Sequence, residues 1–240
     1  MSRALLIETS GKAGHVAIAA DGRIVARRLL SEARRHARDL APAVAEMLRE
    51  AGWSPGLISH VIVGLGPGSY TGLRVGIVSA KIFSYATRAL LIGIPTFETL
   101  AAAALAEAGS VIVIADAQQN RVYHQCFGKS LDGEHPVELS PLRVLTAEEL
   151  FTGSWPASAI TGPGLHKLAS RLPPSFRPMP APFWETRLDI LFRLGLARIA
   201  GGRIDEPYRL APIYLRPSAA EEQWKVPDIQ APVDGARAGQ

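Results

Sequence analysis

Gly64-Leu65-Gly66-Pro67-Gly68-Ser69-Tyr70-Thr71-Gly72 is the segment of this 240-residue chain whose composition and spacing could do chemistry. A glycine-rich loop between an apolar strand and a helix can hold an anion, because free N–H groups and the helix dipole converge there. Three enzymatic versions of such a loop are excluded by particular residues. A P-loop ends in Gly-Lys-Ser/Thr, and Tyr70-Thr71-Gly72 brings no lysine to the phosphates. A dinucleotide-binding loop needs an acid about 20 residues on for the ribose, yet no Asp or Glu occurs from Ala51 through Phe97. A hydrolase elbow reads Gly-x-Ser-x-Gly, and here Ser69 stands one place early.

Other chemistry is sparse. The six histidines (His15, His36, His60, His124, His135, His166) include no pair at i, i+3 or i+4, so no helical metal clamp is expected. Glu8, Glu98 and Asp116 are the acids at strand ends or loops where a cleft could form, each more readily structural than catalytic. The single cysteine, Cys126, excludes an internal disulfide and reads as a buried, inert thiol. Gly72, Gly76 and Ala80 recur every four residues, one face of a helix. A mid-helix glycine costs about 1 kcal/mol relative to alanine, so a close approach should offset it. Packing within the chain is one reading. A helix from a partner chain, with Arg74 and Lys81 as a polar rim, is the other.

These residues need elements to position them. Ala4–Glu8, His15–Ala20 and Ile24–Leu30 read as three antiparallel strands, the last two joined by the hairpin signal Asp21-Gly22. Leu40, Val44, Met47, Leu48 and Ala51 recur at helical spacing from His36, with Gly52 as a stop and Pro42 as a kink or a later start. A strand (His60–Val63), a helix to about Arg88, a strand (Ala89–Ile94) and an alanine-rich helix (Phe97–Ala108) follow. A second unit opens with Ser110–Ala115, a turn at 116–120 and Arg121–Phe127. It continues through a helix (Thr146–Phe151), a strand (Ala157–Thr161), a helix near 165–171 and a last helix, Thr186–Ala200. The pattern is mixed α/β, with each half starting on antiparallel strands.

The formal charge of +4 is unevenly placed. Residues 217–240 carry Lys225 and Arg237 against Glu221, Glu222, Asp228 and Asp234, net −2, which leaves 1–216 at +6. Arg23, Arg27, Arg28, Arg34, Arg35 and Arg38 against Glu32 alone make 23–38 the basic patch. It is either a solvated edge or a phosphate- or nucleic-acid-facing surface. No apolar run reaches the ~18 residues of a membrane span, and the opening lacks a signal-peptide layout, so the cytoplasm is the expected location.

Several of these stretches, in this order, resemble the TsaB family, also called YeaZ. They are Leu6-Ile7-Glu8-Thr9-Ser10, the helix entry near His36, Gly66-Pro67-Gly68-Ser69-Tyr70-Thr71-Gly72-Leu73-Arg74-Val75-Gly76, Asp116-Ala117 with Val122-Tyr123, Thr161-Gly162-Pro163-Gly164, and Tyr214-Leu215-Arg216. The resemblance spans about 4–216 and implies an actin/Hsp70/sugar-kinase-like (ASKHA) fold of two related lobes. These would be 1–108, bearing partner-binding helices, and 109–216, whose helix near 186–200 is a candidate to pack on the first lobe; the polar, irregular composition after Arg216 reads as a mobile tail over 217–240. It also implies a non-catalytic subunit needed to place threonylcarbamoyl on adenosine 37 of tRNA. Such a subunit binds and stabilises the catalytic TsaD, while TsaE supplies ATPase-linked turnover.

TsaD-like proteins carry paired metal-binding histidines on the helix after the fifth strand, where Thr96–Ala104 here has none. Family dimerisation through first-lobe helices maps onto Leu40, Val44, Met47, Gly72, Leu73, Gly76, Ile77 and Ala80. It would serve a TsaD heterodimer or, for the chain alone, a homodimer. No cofactor and no metal are expected on this chain itself, with ATP or ADP left open at the complex interface and tRNA reached through the complex. Arg27, Arg28, Arg34, Arg35 and Arg38 form the candidate tRNA patch, and Glu8, Thr9 and Asp116 are the weak nucleotide candidates. The first strand ends in Glu8-Thr9 where the family usually has Asp-Thr. The turn after Asp116-Ala117 has Gln118 and Arg121 where an arginine and a glutamate are usual. The rival readings are an ATP-dependent enzyme using Glu8 or Asp116 as its acid/base group, and a direct tRNA-binding module.

Overall fold

The computed structural model describes residues 2–30, 36–131, 133 and 135–215. Sheet one is built from β1 (Arg3–Glu8), β2 (His15–Ala20), β3 (Arg23–Leu29), β4 (His60–Gly64) and β5 (Leu90–Ile94), in the order β3-β2-β1-β4-β5. The β1–β2–β3 meander is antiparallel, and β1, β4 and β5 run parallel. Helix α1 (His36–Glu50) follows β3 and α2 (Tyr70–Thr87) links β4 to β5. Pro42 lies inside α1 and is exposed, so α1 begins before it.

Sheet two repeats the plan. β6 (Ser110–Asp116) and β7 (Arg121–Lys129) form an antiparallel hairpin, to which β10 (Ala159–Thr161) and β11 (Arg177–Pro178) add in parallel beyond β6. β8 (Pro136–Glu138) and β9 (Arg143–Thr146), which like β11 have no counterpart among the strands expected from the sequence, pair with β7. α4 (Ala147–Thr152) follows β9, capped by Thr146 and Glu149 in a capping box. α5 (Leu165–Leu168) is a single turn running into a 3-10 turn at 169–171.

α1 and α2 cover one face of sheet one, where Leu5, Ile7, Val61 and Val63 meet Leu40, Met47, Leu73 and Ile77. Its other face is covered by α6 (Leu188–Ala200), which enters from the second half of the chain and packs Leu191, Phe192 and Leu194 on Leu6, Ile62 and Ile92. α3 (Thr96–Ala104) makes the reciprocal move and packs Phe97, Leu100 and Ala101 on Val111 and Val113 of sheet two. It also touches α6, and alanine is the residue that lets a helix sit close to neighbours on both sides. Arg198 of α6 ties the junction by donating to the Gly93 carbonyl at 2.6 Å and to Glu98 Oε2 at 2.6 Å.

After α6 the chain runs back along the free edge of β5, where Asp205 N–H donates to the Leu91 carbonyl and Asp205 Oδ2 accepts from Gly93 N–H. Ile213 N–H donates to the Leu65 carbonyl, which brings Tyr214 onto Tyr70 at the start of α2, ring centroids 4.7 Å apart. An edge that would otherwise present open backbone groups is thereby covered. Among the described residues no helix is long and apolar enough to cross a membrane.

Candidate functional site: the glycine loop, the junction and the outer face of the second helix

Four amides of the glycine loop have partners within the chain. Leu65 N–H donates to the Ile94 carbonyl, Gly66 N–H to Thr96 Oγ1 at 3.0 Å, and Ser69 N–H to the Ser10 carbonyl at 2.7 Å. Ser69 then caps α2 by accepting from Gly72 N–H. A Cβ on Gly68 would fall 2.4 Å from the Ser10 carbonyl oxygen, one on Gly72 2.1 Å from the Thr9 carbonyl oxygen, and one on Gly76 2.1 Å from Thr9 Oγ1. The motif is therefore a packing device. It lets α2 rest directly on the end of β1, and this intrachain contact is the close approach that the helical glycines required. We expect Gly76→Ala to destabilise the fold by roughly 1–3 kcal/mol, the cost of overpacking exceeding alanine's gain of about 1 kcal/mol in helix propensity. Urea melts of the two chains check it, and equal or greater stability of the alanine variant rejects it.

Glu8 lies beneath the same loop, fully buried. Its Oε1 accepts from Ser10 N–H at 2.8 Å and its Oε2 faces the Thr96 hydroxyl at 3.5 Å. Burial pushes its carboxyl above the ordinary glutamate range, more strongly than the Ser10 and Thr96 hydrogen bonds pull it back. Gly64 makes the space, since a Cβ there would sit 2.2 Å from Glu8 Oε2. Thr9 Oγ1 is also buried and has no hydrogen-bond partner.

Asp116 is elsewhere, at the end of β6. Its Oδ1 accepts from Gln118 N–H at 3.0 Å and its Oδ2 is ion-paired with Lys167 of α5. Gln118, Gln119 and Asn120 all adopt left-handed backbone conformations in the turn that follows. Next to Lys167, His166 Nε2 meets Glu185 Oε1 at 2.7 Å, and Glu185 reaches toward Gly11 in the β1–β2 turn. Both of these pairs lie within the second half of the chain, and the ion pair that reaches the first half is Arg198 with Glu98. Glu8, Thr9 and Asp116 form no common site: Glu8 is sealed under the glycine loop, Thr9 under α2, and Asp116 is ion-paired with Lys167. These residues do not fit a nucleotide held by this chain alone.

The other predicted residues also need placing. Leu40, Val44, Met47, Gly72, Leu73, Gly76, Ile77 and Ala80 are all buried within the chain, which corrects their assignment to a partner surface. Helical periodicity marks the side of a helix that is buried without saying what buries it. What α2 presents outward is Val78, Ile82 and Tyr85, 51%, 63% and 74% exposed, with Arg74 and Lys81 beside them. Spacing of i, i+4, i+7 puts the three on one line. The sequence held this signal, apolar residues on the face opposite the glycines, but the glycine face drew the interface assignment.

The arginine patch is also partly reassigned. Arg28 is ion-paired to Glu50 at 2.5 Å, Arg27 and Arg38 are exposed, and Arg34 and Arg35 lie outside the described residues. The segment 217–240 likewise lies outside them.

The sequence reading gave no role to His124. It is buried on β7, its ring centroid 4.1 Å from that of Trp155, Nε2 3.6 Å from Cys126 Sγ and Nδ1 without a partner. Burial, with help from Arg143, lowers its pKa from 6.5 to about 4, and burial raises that of the Cys126 thiol. A histidine kept neutral when folded gives full stability above its unfolded pKa and loses it as pH falls toward the folded one. We expect a loss of ~3 kcal/mol between pH 7 and 4 from this group alone. His124→Phe should flatten that slope in urea melts, and an unchanged slope would reject the assignment. Among the described residues no group of three or more His, Cys, Asp or Glu is placed to hold a metal.

Two sheets that each open on an antiparallel hairpin and continue in parallel, with helices between and outside them, define an actin/Hsp70/sugar-kinase-like (ASKHA) protein. The model of the TsaD family, tRNA N6-adenosine threonylcarbamoyltransferase, matches residues 23–135. The chain is 31% identical over 160 residues to the tRNA threonylcarbamoyladenosine biosynthesis protein TsaB of Escherichia coli, covering 64% of this chain and 69% of that one. It is also 31% identical over 196 residues to an uncharacterized protein of Mycobacterium tuberculosis, covering 80% and 81% of the two. YeaZ from Pseudomonas aeruginosa superposes with a TM-score of 0.75 at 26% identity, over 90% of this chain and 100% of that one. The chain belongs to the TsaB (YeaZ) family.

Proposed function

We propose that this protein is the partner-binding subunit of tRNA threonylcarbamoyladenosine (t6A) synthesis. In this role it docks a TsaD-type catalytic subunit on the outer face of α2 and the adjoining outer face of α1, and stabilises the active form of that subunit. The observation that carries the reading is the line Val78, Ile82, Tyr85. With the glycine face of α2 spent on β1, this apolar line still lies open to solvent, flanked by Arg74 and Lys81, and an apolar core with a charged rim is the anatomy of a protein interface. Catalysis would belong to the partner. Among the described residues, the buried Glu8, the Asp116–Lys167 ion pair and the Cys126 thiol pushed up by burial support that reading. ATP or ADP would sit at the complex interface, TsaE would couple its hydrolysis to turnover, and tRNA would be met through the assembled complex, in the cytoplasm. Alone, the same face would support a homodimer. Mixing the chain with its cognate TsaD and sizing the product is the direct test, together with t6A content of tRNA after depletion. A heterodimer and loss of t6A are expected; no heterodimer with unchanged t6A would sink the reading.

A further inference from the structure

The outer line of α2 does not begin at Val78. Tyr70, Arg74, Val78, Ile82 and Tyr85 follow at steps of four and three, a ridge of about 22 Å at 1.5 Å per residue. The described chain ends beside the start of this ridge. Tyr214 stacks on Tyr70, and the Arg74 guanidinium lies over the other component of that stack, 4.2 Å from the Tyr70 ring centre. The described chain therefore ends at one end of an exposed apolar line, with residues 217–240 still to follow in the sequence. At about 3.3 Å per residue, some seven extended residues would span the ridge, and 24 are at hand.

Charge favours the same pairing. α2 carries Arg74 and Lys81 within the acid-free stretch 51–97, whereas 217–240 is net −2 and sets Glu221 and Glu222 just before Trp224 and Val226. An acidic pair followed by an aromatic and an aliphatic residue is complementary to a basic rim along an apolar line.

We propose that the segment 217–240 docks along the outer face of α2, Trp224 and Val226 on Val78, Ile82 and Tyr85 and the two glutamates toward Arg74 and Lys81. The segment then competes with whatever binds that face. Its effect on a TsaD-type partner rests on the function proposed above; the docking itself does not. Tethering gives the segment a local concentration in the millimolar range, so weak intrinsic affinity suffices for substantial occupancy. Deleting it would tighten partner binding about tenfold if nine molecules in ten are occluded.

The test compares backbone amide spectra of the full chain with those of a chain ending at Arg216. Differences concentrated at Arg74, Val78, Lys81, Ile82 and Tyr85 are expected. A synthetic 217–240 peptide added to the shortened chain should reverse them saturably. The peptide carrying Glu221→Lys and Glu222→Lys should bind roughly fivefold to tenfold more weakly, the size expected for two solvent-exposed ion pairs. Ile82→Asp, or Tyr85→Ser should the first misfold, should abolish the response. Spectra that do not differ at α2, or a peptide that fails to bind, overturn the proposal. So do differences that fade on dilution of the full chain, which would assign the ridge to a second copy. Binding of the shortened chain to TsaD is measured separately. If the peptide docks but TsaD does not bind, only the proposed function falls; if TsaD binds and the peptide does not, only the docking falls.

Discussion

In the chain ending at Arg216, replacing Ile82 by aspartate should weaken binding to the cognate TsaD by about 30-fold to 1,000-fold, the 2–4 kcal/mol of an interface hot spot, with the thermal midpoint unchanged. The unchanged midpoint follows from its 63% exposure: the side chain leaves no cavity and strands no buried charge when replaced. Ile77, one turn back and 2% exposed, is the contrasting control. Ile77→Ala should cost 2–5 kcal/mol of stability, as deletions from a packed core do, and should weaken TsaD binding only as far as it unfolds the chain. Titration calorimetry for affinity and urea melts for stability separate the two. If Ile82→Asp binds normally while Ile77→Ala binds poorly and folds well, the inner residues are the interface after all and the assignment of faces is reversed.

The second large effect is the coupling of Gly64 to Glu8. Gly64→Ala places a methyl carbon 2.2 Å from Glu8 Oε2 and 2.7 Å from the carboxyl carbon, in a buried position where the carboxylate is held by Ser10 and Thr96. We expect destabilisation of about 3 kcal/mol, at the upper end for overpacking. Glu8→Asp withdraws the carboxyl by about 1.5 Å, one carbon–carbon bond, and should recover much of the loss when combined with Gly64→Ala. A double-mutant cycle in urea then gives a coupling energy of 1 kcal/mol or more, and additive single effects would show that the two residues do not share the space. The carboxyl's upward shift supplies a pH signature. Because the folded protein holds that proton more tightly than the unfolded chain, wild-type stability falls as pH rises through and above the ordinary carboxylate range, until the folded group ionises. Glu8→Gln should lose that dependence.

The glycine loop shows how far residue types carry the reading. Its mismatches with phosphate, dinucleotide and hydrolase motifs are properties of the letters, while the internal partners of the Leu65, Gly66, Ser69 and Gly72 amides are seen only in the structure. Hairpin Asp21-Gly22, the strand–helix alternation and the repeat of an antiparallel opening at Ser110 were likewise legible, because periodicity and turn chemistry are local. β8 and β9 were not. Three and four residues long and without a fully buried position, they owe their strand form to pairing with β7 rather than to any pattern of their own.

By itself the sequence determined the class of protein and much of what its loops do not do, since both depend on residue identity and short spacing. Only the tertiary structure decided which face of α2 is free. Gly72 and Gly76 read as an interface until Thr9, more than sixty residues earlier, is seen to fill the space they leave. It also decided that Glu8 is sealed beside Thr96, 88 residues away, that Lys167 holds Asp116, and that Tyr214 ends the described chain against Tyr70. Each is a contact between residues remote along the chain, and the helical or strand period fixes only that a side is covered, never by which part of the molecule.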